Sequence, residues 1–298
     1  MPIVVGDAAA YALRAKARET PGSPAMNSND TSPLGKVTGY PDRYDPGLLF
    51  PIDRAAQRQA LGLCGKLPFA GADLWTAYEI SWLDARNKPQ LAIGEFRIPA
   101  DSPATVESKS LKLYVGSFAQ EPVATRERLA QTIRVDLNRI CGGGIDVVLH
   151  PATASAAPGI AGLPGASVDG EDGAADTAAP DPGLLAVGLA TAEETLSSAL
   201  FRSNCPVTGA PDYADVMVRY RGPRIDRASL LSYLLSYRRH AAFHESCVER
   251  IYVDLLARCR AERLTVYARF TRRGGIDINP FRSNCEAPPA TAQRTPRQ

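Results

Sequence analysis

Asp73–Trp82 and Gln90–Ile98, mostly apolar with polar residues interspersed, read as strands. The turn-like Asn87-Lys88-Pro89 lies between them. Tyr213–Tyr220 and Leu264–Thr271 read as further strands. Helical spacing takes over from Arg126 to Cys141, where Gly142-Gly143-Gly144 stops it, and from Phe243 to Arg258. The second of these puts Phe243, Cys247, Ile251 and Leu255 on one face. A third helix is predicted after Asp226 as N-cap, carrying Leu230, Tyr233, Leu234 and Tyr237. Strands followed by helices, twice over, predict an α+β architecture.

The two halves resemble each other. Ser110-Leu-Lys-Leu-Tyr114-Val-Gly-Ser117-Phe118 matches Ser229-Leu-Leu-Ser-Tyr233-Leu-Leu-Ser236-Tyr237, and Ile133–Cys141 matches Ile251–Cys259 around a shared Val-Asp-Leu. Two matches in order, at nearly constant separation, predict a duplicated module. Residues 34–150 and 184–285 are the expected modules. Three stretches lack the apolar content that would offset chain ordering. They are an extension at 1–33, an Ala/Gly/Pro/Asp-rich linker at 151–183 and a tail at 286–298. All three are expected to be disordered, and Met26 is an alternative start.

Composition narrows the function classes. With 34 Lys and Arg against 32 Asp and Glu, the chain lacks the basic excess of a general nucleic-acid binder. No apolar run is long enough to cross a bilayer, and Met1–Thr20 does not read as a secretory signal. Six cysteines without a CxxC pair fit reduced, cytoplasmic thiols. Neither GxGxxG nor GxxxxGK[ST] occurs.

Candidate chemistry centres on Cys205. Pro206 keeps it out of helical backbone, and Thr208-Gly209 and Pro211-Asp212 add turn character, so the thiol sits on a loop. Asp212 lies seven residues on, where a carboxylate can take the thiol proton and later deliver it. A free thiol is more often buried and inert, and spacing alone leaves both readings open. Cys141 and Cys259 end equivalent helices, Cys247 lies on an apolar helix face, Cys64 follows Leu61-Gly-Leu63 and Cys285 opens the tail. These five read as packing or tail positions. His240 and His244, four apart, suggest a three-ligand zinc site with Cys205, but no acidic partner follows at metal spacing, and no metal is expected. His244-Glu245 at a helix start could bind an amino-substituted heterocycle. Arg272-Arg273-Gly274-Gly275 and Glu107-Ser108-Lys109-Ser110 could hold phosphates.

Glu107-Ser108-Lys109-Ser110-Leu111-Lys112-Leu113-Tyr114 resembles in full the signature of the NADPH-dependent 7-cyano-7-deazaguanine reductases, the nitrile reductases of queuosine biosynthesis. Tyr44–Ile52, Phe201–Gly209, Phe243–Glu249 and Arg272–Arg282 are similar to further segments of that family's long form. The resemblance spans about Ser32 to Cys285 apart from the linker. It implies two tandem tunnelling-fold modules, each an antiparallel sheet with helices packed on one side, in a homodimer. It also implies that Cys205 attacks the nitrile carbon and that Asp212 is the proton donor. Val106, Glu107, Ser108, His244 and Glu245 would contact the deazaguanine, and Ser108, Lys109, Arg273 and Gly274 would contact NADPH. Tyr213 and Gly116 depart from the family's usual Trp and Asn. A zinc-dependent cyclohydrolase of the same fold and a non-catalytic binding module are the competing readings.

Overall fold

A computed structural model describes residues 39–153, 159–174, 177–290 and 293–298. The expected extension at 1–33 and the alternative start at Met26 lie outside the described residues. A small ribbon pairs β1 (Pro51–Asp53) with β4 (Ala104–Val106). The main sheet holds β2 (Ala70–Leu83), β3 (Pro89–Pro99), β5 (Asp146–Pro151), β6 (Ala166–Ser167), β7 (Val187–Asn204), β8 (Pro211–Ile225), β9 (Arg263–Phe270) and β10 (Ile276–Ser283). Its order is β5-β3-β2-β10-β9-β8-β7-β6, antiparallel throughout except where β6 joins β7. Besides the short α1 (Ala55–Ala60), the helices are α2 (Ser108–Gly116), α3 (Arg126–Cys141), α4 (Arg227–Leu235) and α5 (His244–Cys259). None is long and apolar enough to cross a membrane. The fold is α+β, built as two tandem tunnelling-fold modules.

Each module repeats one plan, a hairpin, two helices and a strand returning to the sheet, and the second adds β10 after its returning strand β9. In the first, Leu129, Ile133, Leu137 and Cys141 of α3 recur every fourth residue and pack on Trp75, Ile80, Trp82 and Phe96. In the second, Cys247, Ile251, Leu255 and Cys259 of α5 do the same against Phe201, Val216 and Phe270. Leu74, Met217, Tyr267 and Phe281 form a smaller cluster. Each alternates along its strand with a helix-side neighbour such as Trp75 or Val266, which places that cluster on the opposite face.

Both hairpins carry an irregularity in register, between Ala77 and Ile80 in the first and between Ser198 and Phe201 in the second. An extra residue there reverses the in/out parity of everything beyond it. Trp75 and Ala77 face the helices before the first irregularity, and Ile80 and Trp82 face them after it. The second brings Phe201 and Ser203 to the helix side, with Cys205 next on the same parity.

The modules share more than the sequence matches. Asp45-Pro-Gly-Leu-Leu49 recurs as Asp181-Pro-Gly-Leu-Leu185. In both copies the Asp caps a single 3-10 turn by accepting from the Gly amide at 2.8 Å. Tyr114 donates to Asp136 and Tyr233 to Asp254 at 2.6 and 2.7 Å. Residues 181–183 therefore go with the second module and not with the linker, a repeat that low-complexity composition on its N-terminal side conceals. The rest of the linker is also partly ordered: β6 lies along β7 and Val168 is buried in the second core. Tyr237, expected on α4, sits in the following 3-10 turn (Ser236–Arg239) but remains buried.

The tail, expected to be disordered, packs against the strands. Gln298 inserts its amide among buried strand residues, accepting from Arg269 Nε at 2.6 Å and donating to the Phe270 carbonyl and Asn279 Oδ1 at 2.9 Å each. Arg297 pairs with Asp215. Polar composition misled here because the tail satisfies buried polar groups instead of burying apolar ones.

The modules join where β10 pairs with β2, from Ile276↔Ala77 to Ser283↔Ala70. Gly71 has φ 148°, and a Cβ there would stand 2.0 Å from the Phe281 carbonyl oxygen. Arg282, wholly buried, lies 2.8 Å from Asp73 of β2 and 2.9 Å from Glu249 of α5. Arg54 pairs with the same Asp73 at 2.5 Å and Arg58 with the same Glu249 at 2.7 Å. Burial alone would raise the Asp73 carboxyl, but Arg282 and then Arg54 hold it below the usual range.

Because the obstacle at Gly71 is backbone, Gly71→Ala is expected to lower the free energy of unfolding by about 2–4 kcal/mol in chemical denaturation. Gly116→Ala, whose new methyl meets open space at the end of α2, should be neutral or stabilising by up to about 1 kcal/mol. Equal effects of the two changes would contradict the tight approach of β10 to β2.

Candidate active site

β7 ends at Asn204, and the next residue begins the β7–β8 loop. The Cys205 amide donates to the Ala210 carbonyl at 2.8 Å, and Gly209, at φ 69°, donates back to the Cys205 carbonyl at 3.0 Å. Cys205 is thereby fixed at the mouth of a tight loop, as Pro206 and Thr208-Gly209 predict. Asp212 sits opposite Ser203 in register, and cross-strand partners share a face, so its carboxylate points to the helix side.

The start of α5 is tied to the same place. Asn204 donates to the His240 carbonyl at 2.8 Å and accepts from the Ala242 amide at 3.1 Å, leaving His244 and Glu245 beside the Cys205 loop. His244 stacks flat on Phe270, with centroids 3.8 Å apart and planes 4° from parallel. Its Nε2 stands 3.4 Å from Asp212 Oδ2. Arg273, from the β9–β10 turn, places its guanidinium on the other oxygen, Oδ1. Asp212 is almost wholly buried, its side chain 4% exposed, whereas that of Arg273 is 42% exposed. Burial would raise Asp212, but the hydrogen bond and charge of His244, followed by those of Arg273, bring it below the ordinary carboxylate range. Glu245 moves the opposite way, raised first by burial and then by the charge of Asp73.

The first module closes the cavity. Val106 and Ser108 form part of its wall together with Cys205, Asp212, His244, Glu245 and Arg273. Trp75 of β2 and Ile278 of β10, register partners across the module junction, line it too. The structure thus brings seven of the candidate residues to one cavity. Glu107, Lys109 and Gly274 stand just outside its wall. Glu107 caps α2, its two oxygens accepting from the Lys109 and Ser110 amides at 2.7 Å each. Gly274, at φ 57°, lies against the Lys112 side chain. His240, the other half of the suggested zinc pair, packs on Tyr237 instead, and burial lowers it to about 4. Among the described residues no cluster of three His, Cys, Asp or Glu side chains is arranged to hold a metal ion.

Of the wall residues that the sequence did not assign to the site, three bear on its chemistry. Lys112 is one; its helical spacing from Ser108 within the signature was the available signal. Burial and then Arg273 lower it, while Glu107, Asp212 and Cys205 act to raise it. Trp75 and Thr105 are the others, and an alternating strand pattern gives no sign of which core residue will face a ligand. Trp75 Nε1, Thr105 Oγ1 and His244 Nδ1 are buried without a hydrogen-bond partner. Buried polar groups are nearly always paired, so three orphans in one wall fit a polar heterocycle. The cationic side, with Lys112 and Arg273 beside the Ser108 hydroxyl, fits the phosphates of a dinucleotide such as NADPH. Of the two departures, Gly116 borders open space and Tyr213 is half exposed beneath Arg202.

Fold and cavity together define a two-module enzyme scaffold whose thiol, buried carboxylate and cationic rim converge where the modules meet. Residues 40–149 match the family described as nitrile reductase, 7-cyano-7-deazaguanine-reductase N-terminal, and residues 211–289 match that of QueF-like proteins. A protein of Burkholderia ambifaria named NADPH-dependent 7-cyano-7-deazaguanine reductase is 51% identical over 90% of this chain and 98% of its own length. A protein of the same name from Chromobacterium violaceum is 52% identical over 90% and 96%. The chain belongs to the NADPH-dependent 7-cyano-7-deazaguanine reductase family.

Replacing an orphaned buried hydroxyl by an isosteric methyl removes a desolvation penalty. Thr105→Val is therefore expected to leave the melting temperature of the free protein unchanged or raised. Destabilisation beyond about 1 kcal/mol would mean that the hydroxyl is already paired within the fold.

Proposed function

We propose that the chain reduces the nitrile of 7-cyano-7-deazaguanine to the aminomethyl group, with NADPH as reductant, through a covalent thioimide on Cys205. The convergence of Cys205 and Asp212 in one wall carries this reading, and the names of the relatives supply the substrate and cofactor.

The residue types suit the chemistry. A nitrile carbon is electrophilic but a poor hydride acceptor, so a soft sulfur nucleophile adds first. Asp212, held as a carboxylate, takes the Cys205 proton and passes it to the nitrile nitrogen. Its role as proton donor therefore begins with its being a base. NADPH, when bound, would supply one hydride to the thioimide, and a second NADPH would supply the other after the carbon–sulfur bond breaks. Lys112, Arg273 and Ser108 would hold its phosphates, with Lys109 and Gly274 just behind them. The imine released between the two reductions must be kept from water, which the burial of Asp212, Glu245 and Val106 favours. His244, Glu245, Thr105 and Trp75 offer polar atoms to the deazaguanine ring. Glu107 would contact it only through lone pairs left over from capping α2.

On the family resemblance we assign the reaction to queuosine biosynthesis, feeding tRNA modification from the cytoplasm, and the working unit to a homodimer. The outer edge of β5, with Leu91 and Val148 exposed nearby, supports the dimer, because a bare strand edge invites a partner.

The test is incubation with the nitrile alone, followed by intact-protein mass and absorbance. One substrate mass on Cys205 is expected, with a new thioimide band, and Cys205→Ala should lose both adduct and turnover. Asp212→Asn should slow turnover by about 10²–10⁴-fold. A folded sample with Cys205 intact that forms no adduct would rule the mechanism out.

A further inference from the structure

Asp212 faces two demands that one protonation state cannot meet. Thiol addition needs a base: the Cys205 proton leaves sulfur, a carbon–sulfur bond forms, one carbon–nitrogen π bond breaks and the nitrogen gains the proton. No electron leaves or enters in that step. The reductions that follow need an acid, because nitrogen takes up further protons as hydride reaches carbon. The groups around Asp212 are His244 and Glu245 from α5, Arg273 from the β9–β10 turn, Lys112 from α2 and Cys205 from its own hairpin. Of the two that touch it, His244 is pinned flat against Phe270. Arg273 rises from a turn whose next two residues are the left-handed Gly274 and Gly275, and its side chain is partly exposed.

We propose that Arg273 is a positioning residue that holds Asp212 as a carboxylate for thiol addition and releases it when a phosphate-bearing ligand draws the guanidinium away. This deepens the reading of Cys205 and Asp212 given above and rests on it. A guanidinium fork satisfies one anion well at a time, and the phosphates of the cofactor compete with Asp212 for it. Release removes a neighbouring positive charge, so the carboxyl protonates more readily as the reaction turns from needing a base to needing an acid. His244 stays in place, so the change is a shift and not a collapse.

Adduct formation consumes no cofactor, so it isolates the first half of the cycle. Its rate is measured against pH at saturating nitrile, for the parent protein, Arg273→Ala and Arg273→Lys, each with and without NADP+, which carries the phosphates but no hydride. Loss of the guanidinium raises Asp212, so its base form disappears at a higher pH on acidification. In Arg273→Ala the acid limb should therefore move to higher pH, with about a threefold or greater loss of rate on that limb and a smaller loss near pH 8. Arg273→Lys should move it less. NADP+ should shift the parent limb in the same direction and leave that of Arg273→Ala where it is. An Arg273→Ala limb coincident with the parent's, or a parent limb indifferent to saturating NADP+, overturns the proposal. If the parent protein forms no adduct, or Cys205→Ala still forms one, the reading of Cys205 fails instead, and the two failures are distinct.

Discussion

The pairing of β10 with β2 is the constraint on which the rest depends. It makes one sheet of two modules, and the cavity lies across it: Trp75, Val106, Ser108 and Lys112 come from one side, and Cys205, Asp212, His244, Glu245 and Arg273 from the other. Two features make the junction specific in register. Gly71 lets the Phe281 carbonyl approach closer than any side chain permits. Arg282 must meet Asp73 and Glu249 together. An ion cluster buried this deeply adds little net stability when complete, but removing one partner leaves a charge uncompensated. A slip of one residue would also send Arg282 to the opposite face.

Duplication explains why function could concentrate in half of the scaffold positions. Aligning Cys141 with Cys259 places Arg126 and Glu127 at the start of α3 on His244 and Glu245 at the start of α5. Thr125 caps α3 with its side chain, while Phe243, in the matching place, makes no capping bond. Such a cap typically contributes about 1 kcal/mol. α5 thus forgoes local stability at the point where its first turn enters the cavity, and the packing of four buried rungs compensates. Glu107 and Asp226 show the reverse: both cap the helix that follows their module's hairpin, so the signature Glu serves the fold even where the family resemblance gives it a ligand.

How much of this was legible in the sequence depends on the kind of force at work. Strands and helices with one buried face announced themselves by period, so β2, β3, β8, β9, α3, α4 and α5 were readable to within a few residues. β7 was not, because its Ala, Thr, Glu and Ser residues hide a long edge-like strand whose outer half is exposed. The ordered parts of the linker and tail were missed for a related reason. Val168 docks as a single apolar anchor and Gln298 as a single amide, and neither changes composition enough to register. At the site, the signature and the Cys205 loop were legible as motifs. The wall contributions of Trp75 and Thr105 were not, since an unpaired polar atom is a property of three-dimensional surroundings and leaves no periodic trace.

The two carboxylates of the cavity show what those surroundings accomplish. Asp212 and Glu245 lie on the same wall and are both buried, and burial by itself would raise each. Asp212 has a histidine on one oxygen and a guanidinium on the other, so it falls; Glu245 has Asp73 as its strongest charged neighbour, so it rises. Groups of one chemical type driven apart in this way are suited to different tasks: Asp212 towards holding its charge, Glu245 towards giving it up. Asp73 is also the partner of Arg282 at the module junction. The ion cluster that aligns the two modules therefore reaches the site electrostatically as well as mechanically.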